Sequence, residues 1–123
     1  MKIYVTHSSA FDYKTELYQP LRDSELNTKY EIILPHEHSL LPMNSKEQMT
    51  TFDIILAEIS YASTGQGIEL GWADFLKKPI IAFYQNAPTI KPSSSVATLT
   101  EKIFKYENST DLISKLRTML KYY

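Results

Sequence analysis

Short apolar runs alternate with amphipathic stretches along the whole chain. Lys2–Thr6 is apolar and β-prone and predicts a first strand. A helical pattern follows over Asp12–Leu26, with Ser8, Ser9 or Asp12 as candidate cap. Pro20 interrupts it, which predicts a kink or two short helices, the second starting at the proline. Tyr30–Leu34 predicts a second strand, stopped by Pro35, with a loop over His36–Met43. Ser45-Lys46-Glu47-Gln48 has the capping-box spacing and opens a short helix to about Thr51. Asp53–Ile59 is continuously apolar at its centre, as in a third strand covered on both faces. Ser60–Gln66 reads as a loop and Gly67–Lys77 as a helix whose inward face is Ile68, Trp72, Phe75 and Leu76, with Pro79 beyond it. Pro79–Tyr84 is a fourth strand, Gln85–Ser95 a Pro/Ser loop, Ser94–Thr100 a helical turn and Lys102–Tyr106 a fifth strand. Asn108 or Ser109 caps a last helix with Leu112, Ile113, Leu116 and Leu120 inward.

Strands that alternate with helices argue a parallel sheet covered on both sides. The expectation is an α/β fold with three layers, a flavodoxin-like or Rossmann-like five-stranded parallel sheet, in one domain over residues 1–123. Ligands of such sheets bind beyond the carboxyl ends of the strands, where the strand order reverses. Function is therefore expected in 6–12, 35–45, 60–69 and 85–95.

Composition narrows the choice. Hydrophobic residues are 43% and charged residues 22%, ordinary for a globular chain. Thirteen basic residues against fourteen acidic ones leave a net charge of −1, which argues against a nucleic-acid polymer or an anionic membrane as partner. No run approaches a membrane span, and the N-terminal apolar stretch is too short for a signal peptide, so the expected location is cytoplasmic. The absence of cysteine excludes disulfides, thiolate metal sites and a cysteine nucleophile. All three glycines, Gly65, Gly67 and Gly71, fall within seven residues, which predicts unusual backbone geometry there.

That cluster lies in Glu58-Ile59-Ser60-Tyr61-Ala62-Ser63-Thr64-Gly65-Gln66-Gly67-Ile68-Glu69-Leu70-Gly71-Trp72-Ala73. Hydroxyls, glycines and free N–H groups where a strand passes into a helix suit an anion. Three motifs are excluded. A dinucleotide fingerprint would need glycine at Leu70, and neither a phosphate-binding Walker loop nor a nucleophile elbow occurs. Glu69 is expected in the first helical turn. A carboxylate at a cleft mouth can attack an anomeric carbon, although most such residues only complement the helix dipole.

The same stretch resembles the nucleoside 2-deoxyribosyltransferase family, and most closely its branch of deoxynucleoside 5′-monophosphate N-glycosidases. The carriers are an apolar strand ending in Ala57-Glu58, a short polar loop and Gly67-Ile68-Glu69-Leu70-Gly71-Trp72-Ala73. The order of elements agrees over residues 2–84. The resemblance implies a Glu nucleophile at Glu69 and a nearby tyrosine at Tyr4. It also implies that Ser63 stands where the monophosphate branch has serine and the free-nucleoside enzymes have aspartate. An aspartate would repel a 5′-phosphate that a serine can accept. Ser8 and Ser9 occupy the other phosphate-contacting loop, where the branch often has an arginine and this chain has Ala10 or Phe11. Ser94, or its neighbour Ser93 or Ser95, falls near a serine lent by an adjacent subunit. The family has an aspartate that assists departure of the base. Ser45 stands there, leaving Glu47 or His38 to supply a proton.

The resemblance implies cleavage or base exchange at the N-glycosidic bond of a (deoxy)nucleoside 5′-monophosphate, without metal or organic cofactor, in a homodimer or higher homo-oligomer. The alternative is a nucleotide-sensing module on the same fold with reduced or lost catalysis. Expected substrate contacts are His7, Ser8, Ser9, Tyr61, Ser63, Gly65, Gly67 and Ser94, with Tyr61 stacking on a base. His36-Glu37-His38 lacks an evident third ligand for a metal and reads as a polar loop. Asp53 is placed at the far end of the third strand, and Glu58 at the site end as a partner for Tyr4, a sugar hydroxyl or a local salt bridge.

Overall fold

The computed structural model describes residues 1–38 and 45–123, without the side chain of Ser45. The sheet comprises β1 (Lys2–His7), β2 (Glu31–Ile33), β3 (Ile54–Glu58), β4 (Ile80–Gln85) and β5 (Ile103–Tyr106). Its order is β2-β1-β3-β4-β5 and every pairing is parallel. The order reverses between β1 and β3, whose register sets Tyr4 beside Ile55, Thr6 beside Ala57 and His7 beside Glu58. A crevice for ligands is expected at the carboxyl end of that seam.

Two apolar layers cover the sheet. Alternation along β1 sends Ile3 and Val5 to one side, against Leu17, Leu21, Leu112 and Leu116, and Tyr4 to the other, against Phe52, Leu70 and Ala73. The helices are α1 (Gln19–Asp23), α2 (Leu26–Lys29), α3 (Ser45–Gln48), α4 (Thr64–Phe75), α5 (Ser94–Ala97) and α6 (Ser109–Leu120). Asn108 caps α6 by accepting from Asp111 N–H at 2.9 Å, and Leu112, Ile113, Leu116 and Leu120 are buried as the pattern predicted.

The two short helical pieces expected around Pro20 are present, and two other expectations are corrected. The interruption at Pro20 takes the form of a π-helical turn over Lys14–Tyr18, feeding α1 with the proline in its first turn. Gln19 N–H reaches back to Lys14 O, and a wider turn at this point is one way a chain absorbs a proline without a donor. The glycines adopt no positive φ; all three sit inside α4, and a Cβ added to any of them would meet nothing within 4 Å. Nothing among the described residues requires them. α4 itself starts at Thr64, before the expected Gly67, and rotates its apolar residues outward: Ile68 is 49% and Phe75 85% exposed, and Leu76 is exposed too. Gln66, Leu70 and Ala73 form its buried face. Trp72 is half-buried and packs against the same apolar layer as Leu70 and Ala73, as its position in the pattern implied.

Candidate active site

The carboxyl ends of β1 and β3 and the helix that follows β3 assemble the site. Ser63 takes extended backbone before α4, and its Oγ accepts from Gln66 N–H at 3.5 Å, a long cap. With the helix started there, Glu69 lies in the second turn of α4, one turn later than the sequence pattern placed it. Its side chain reaches β1. Tyr4 Oη donates to Glu69 Oε2, and Thr6 Oγ1 donates to Oε1 at 2.9 Å. Both donors project from the same face of β1, two residues apart, as strand periodicity dictates. The tyrosine ring is fixed by stacking on Phe52, with centroids 4.6 Å apart. The carboxylate is thus oriented from both oxygens, at a half-buried position above the β1–β3 seam.

His7 leaves the opposite face of β1 and is buried. Its Nδ1 lies 2.8 Å from Ser8 O and its Nε2 2.6 Å from Tyr18 Oη. A carbonyl only accepts, so Nδ1 carries the proton, and Tyr18 donates to Nε2. Tyr18 Oη in turn accepts from His36 N–H at 3.0 Å. Burial, and secondarily the neighbouring His36, push the His7 pKa below its ordinary value, against the Ser8 hydrogen bond and the charge of Glu69. Burial pushes the Tyr18 phenol up, so it remains a donor. Phe11, Tyr13 and His36 pack around the imidazole, and Phe11 stacks on Tyr61 across two loops at 5.5 Å. Phe11 thus covers one face of Tyr61, the ring expected to stack on a base.

Glu58 is fully buried at the end of β3, where Ser60 and Tyr106 hold its carboxylate. Among the described residues no ion pair joins it to a cation. Ser60 N–H donates to Oε1 at 2.6 Å, Ser60 Oγ to Oε2 at 3.0 Å, and Tyr106 Oη to Oε2. Burial raises its pKa, with the three donors working against that shift. Ser60 Oγ also accepts from Gln85 N–H at 2.9 Å, so the ends of β3, β4 and β5 share one polar network.

A cavity of about 530 Å³ opens on the other flank of α4. Tyr61, Ser63, Thr64 and Gly67 line it, facing Ser93, Ser95 and Val96. Ser94 and Gly65 do not line it; both are exposed, as is Ser9, whereas Ser8 is buried and its Oγ accepts from Ala10 N–H. Glu47 is exposed on α3, and among the described residues no hydrogen bond or ion pair joins it to Glu69. His38 is exposed and lies 3.4 Å from Glu37, which Arg22 grips with two hydrogen bonds of 2.7 and 2.8 Å. That pairing holds the Glu37 carboxyl below its usual pKa range. Among the described residues no group of three or more His, Cys, Asp or Glu could hold a metal ion. Asp53 accepts from Lys2 N–H at 2.6 Å, at the end of β3 away from the site. Gln66, which sequence reasoning left in a loop, is buried within the site; its only signal was a polar residue one helical turn before Glu69.

The protein is thus an α/β domain of the doubly wound parallel class, with its candidate site at the reversal of strand order. No family model matches the chain, and no curated protein matches it by sequence. Solved structures do share its fold. The CMP N-glycosidase BcmB of Clostridium botulinum superposes with a TM-score of 0.64 at 18% identity, over 95% of this chain and 99% of that one. A conserved protein from Enterococcus faecalis V583 superposes with a TM-score of 0.71 at 14% identity, over 97% and 98%.

Proposed function

We propose that this protein cleaves the N-glycosidic bond of a (deoxy)nucleoside 5′-monophosphate, with Glu69 as nucleophile. The observation that carries the reading is the Glu69 carboxylate, oriented by Tyr4 and Thr6 at the reversal of strand order. The likeness of fold to a CMP N-glycosidase supports it. A Glu69 oxygen forms a bond to C1′ while the C1′–N bond breaks and its electron pair leaves with the base. The base takes a proton from Glu47 on α3, which packs against α4. Water, or a ring N–H of a second base, then bonds to C1′ as the bond to the Glu69 oxygen breaks, and its proton passes to the Glu47 carboxylate, as in a retaining glycosidase. The 5′-phosphate rests against Ser63 and the free N–H groups of the first turn of α4. His7 and Ser8 shape the opposite wall. No metal or organic cofactor takes part.

One observation favours a second reading, a nucleotide-sensing module: among the described residues no second carboxylate makes a hydrogen bond or ion pair with Glu69. One experiment separates the two. Purified protein is incubated with deoxynucleosides, ribonucleosides and their 5′-monophosphates, and free base is followed by chromatography. Release from monophosphates is expected, with a loss of ~10³-fold or more in Glu69→Ala. No release from any substrate, with or without an acceptor base, would sink the glycosidase and leave the sensor.

We further propose that the exposed apolar face of α4 pairs with a second copy of the chain, giving a homodimer or higher homo-oligomer. Ile68, Phe75 and Leu76 supply the apolar area that a lone surface helix rarely leaves in water.

A further inference from the structure

Gln66 is a buried polar side chain for which the proposed reaction has no use. Its Nε2 lies 2.7 Å from Glu58 O and 3.2 Å from Thr6 O. A primary amide nitrogen carries two hydrogens, and these two carbonyls take both. They belong to β3 and β1, the two strands that flank the reversal of strand order. The amide therefore bolts α4 to both sides of the seam at once.

The position of this bolt along α4 matters. Gln66 and Glu69 are three residues apart and share a helix face. Leu70 and Ala73 continue the buried side, but their contacts are apolar and non-directional. Apolar packing tolerates a small rotation or slide of the helix; two N–H···O bonds to fixed strand carbonyls do not. The Glu69 carboxylate must meet donors on β1, the same strand that supplies one of the two carbonyls, through Thr6. Thr6 thus holds Gln66 through its backbone and Glu69 through its side chain.

We infer that Gln66 is a positioning residue: its bifurcated grip on Thr6 O and Glu58 O sets the rotation and height of α4 that bring Glu69 onto Tyr4 and Thr6. The catalytic consequence rests on Glu69 being the nucleophile of the proposed reaction; the geometric consequence does not. Methionine matches glutamine in length and cannot donate, so Gln66→Met removes the grip and keeps the volume.

The test has two arms on the full chain. In the first, the side-chain carboxyl carbon of Glu69 is followed by NMR in protein labelled with 13C-glutamate, assigned by its loss in Glu69→Gln. Gln66→Met is expected to move that resonance, and Leu116→Ala, a core truncation in α6 across the sheet, is not. In the second, if wild type releases base, Gln66→Met is expected to lower kcat by ~10- to 100-fold with KM changed less than ~3-fold, because a nucleophile displaced by about 1 Å still lets substrate bind. An unmoved Glu69 resonance overturns the inference, whatever happens to the melting temperature. A loss in KM alone overturns its catalytic half. An inactive wild type with a resonance that moves only in Gln66→Met would sink the glycosidase and leave the positioning role standing. Should Gln66→Met fail to fold, Gln66→Asn keeps the amide but is one methylene too short to span both carbonyls, and the same shift is expected of it; its absence overturns the inference.

Discussion

His7 shows how one buried side chain ties stability to pH. Both ring nitrogens are engaged, Nδ1 as donor and Nε2 as acceptor, so a second proton at Nε2 requires the Tyr18 hydroxyl to turn from donor to acceptor in a buried pocket. Its pKa in the folded chain lies below the ordinary 6.5, while the unfolded chain takes up the proton near that value. The unfolded state therefore binds more protons as pH falls below about 6.5, and stability drops there. Glu58 acts with the opposite sign. Its raised pKa lets the folded chain hold a proton to higher pH, so its contribution fades as pH rises above about 4.5. Comparing wild type with His7→Asn isolates the histidine. Urea midpoints measured from pH 7.5 to 5.5 should fall in wild type and fall less steeply in the variant; parallel lines would remove His7 as the cause.

Helix α4 concentrates what the sequence pattern made legible and what it hid. Glu69 was legible because glycines, a preceding apolar strand and an Ala-Glu end frame it within sixteen residues. The helix face was not. Ile68, Trp72, Phe75 and Leu76 obey a helical period that normally marks a core, yet Phe75 is 85% exposed. Periodicity reports that an apolar stripe exists and not what covers it. Gln66 stayed hidden for the converse reason: a buried amide serving two backbone carbonyls has no hydrophobic signature. The glycines of α4 invite a stability test at Gly65, which is exposed, helical and outside the cavity lining. Gly65→Ala should raise stability by about 0.5–1 kcal/mol, the ordinary gain for alanine within a helix. Thermal and urea unfolding would read it, and a loss would show that the bare backbone there meets something other than this chain.

At the scale of the whole molecule the sheet order was latent in the pattern. Five apolar runs separated by helical stretches leave few right-handed arrangements, and 2-1-3-4-5 is among them. The expectation of an oligomer came only through the resemblance, since an outward stripe and an inward stripe look alike in one dimension. Phe75→Glu places a charge on the most exposed apolar residue of α4, at its C-terminal end. Sedimentation velocity should find wild type as a dimer or larger and the variant shifted toward monomer, with little change in circular dichroism. A monomeric wild type would leave the apolar face for another partner.

β1 is the first strand of the chain and the second in the sheet, and its neighbour across the seam begins 51 residues later, where Ile54 joins Ile3. During synthesis the ribosome therefore delivers a strand whose other edge stays open until roughly half the protein has emerged. Closing so distant a pair is entropically slow, and it commits the chain to fold late and all together. Tyr4 and Thr6 wait on that same strand, so Glu69 meets its two donors only after this seam has closed. On chains stalled at increasing length, cooperative folding and the contacts of Glu69 with Tyr4 and Thr6 would therefore appear together.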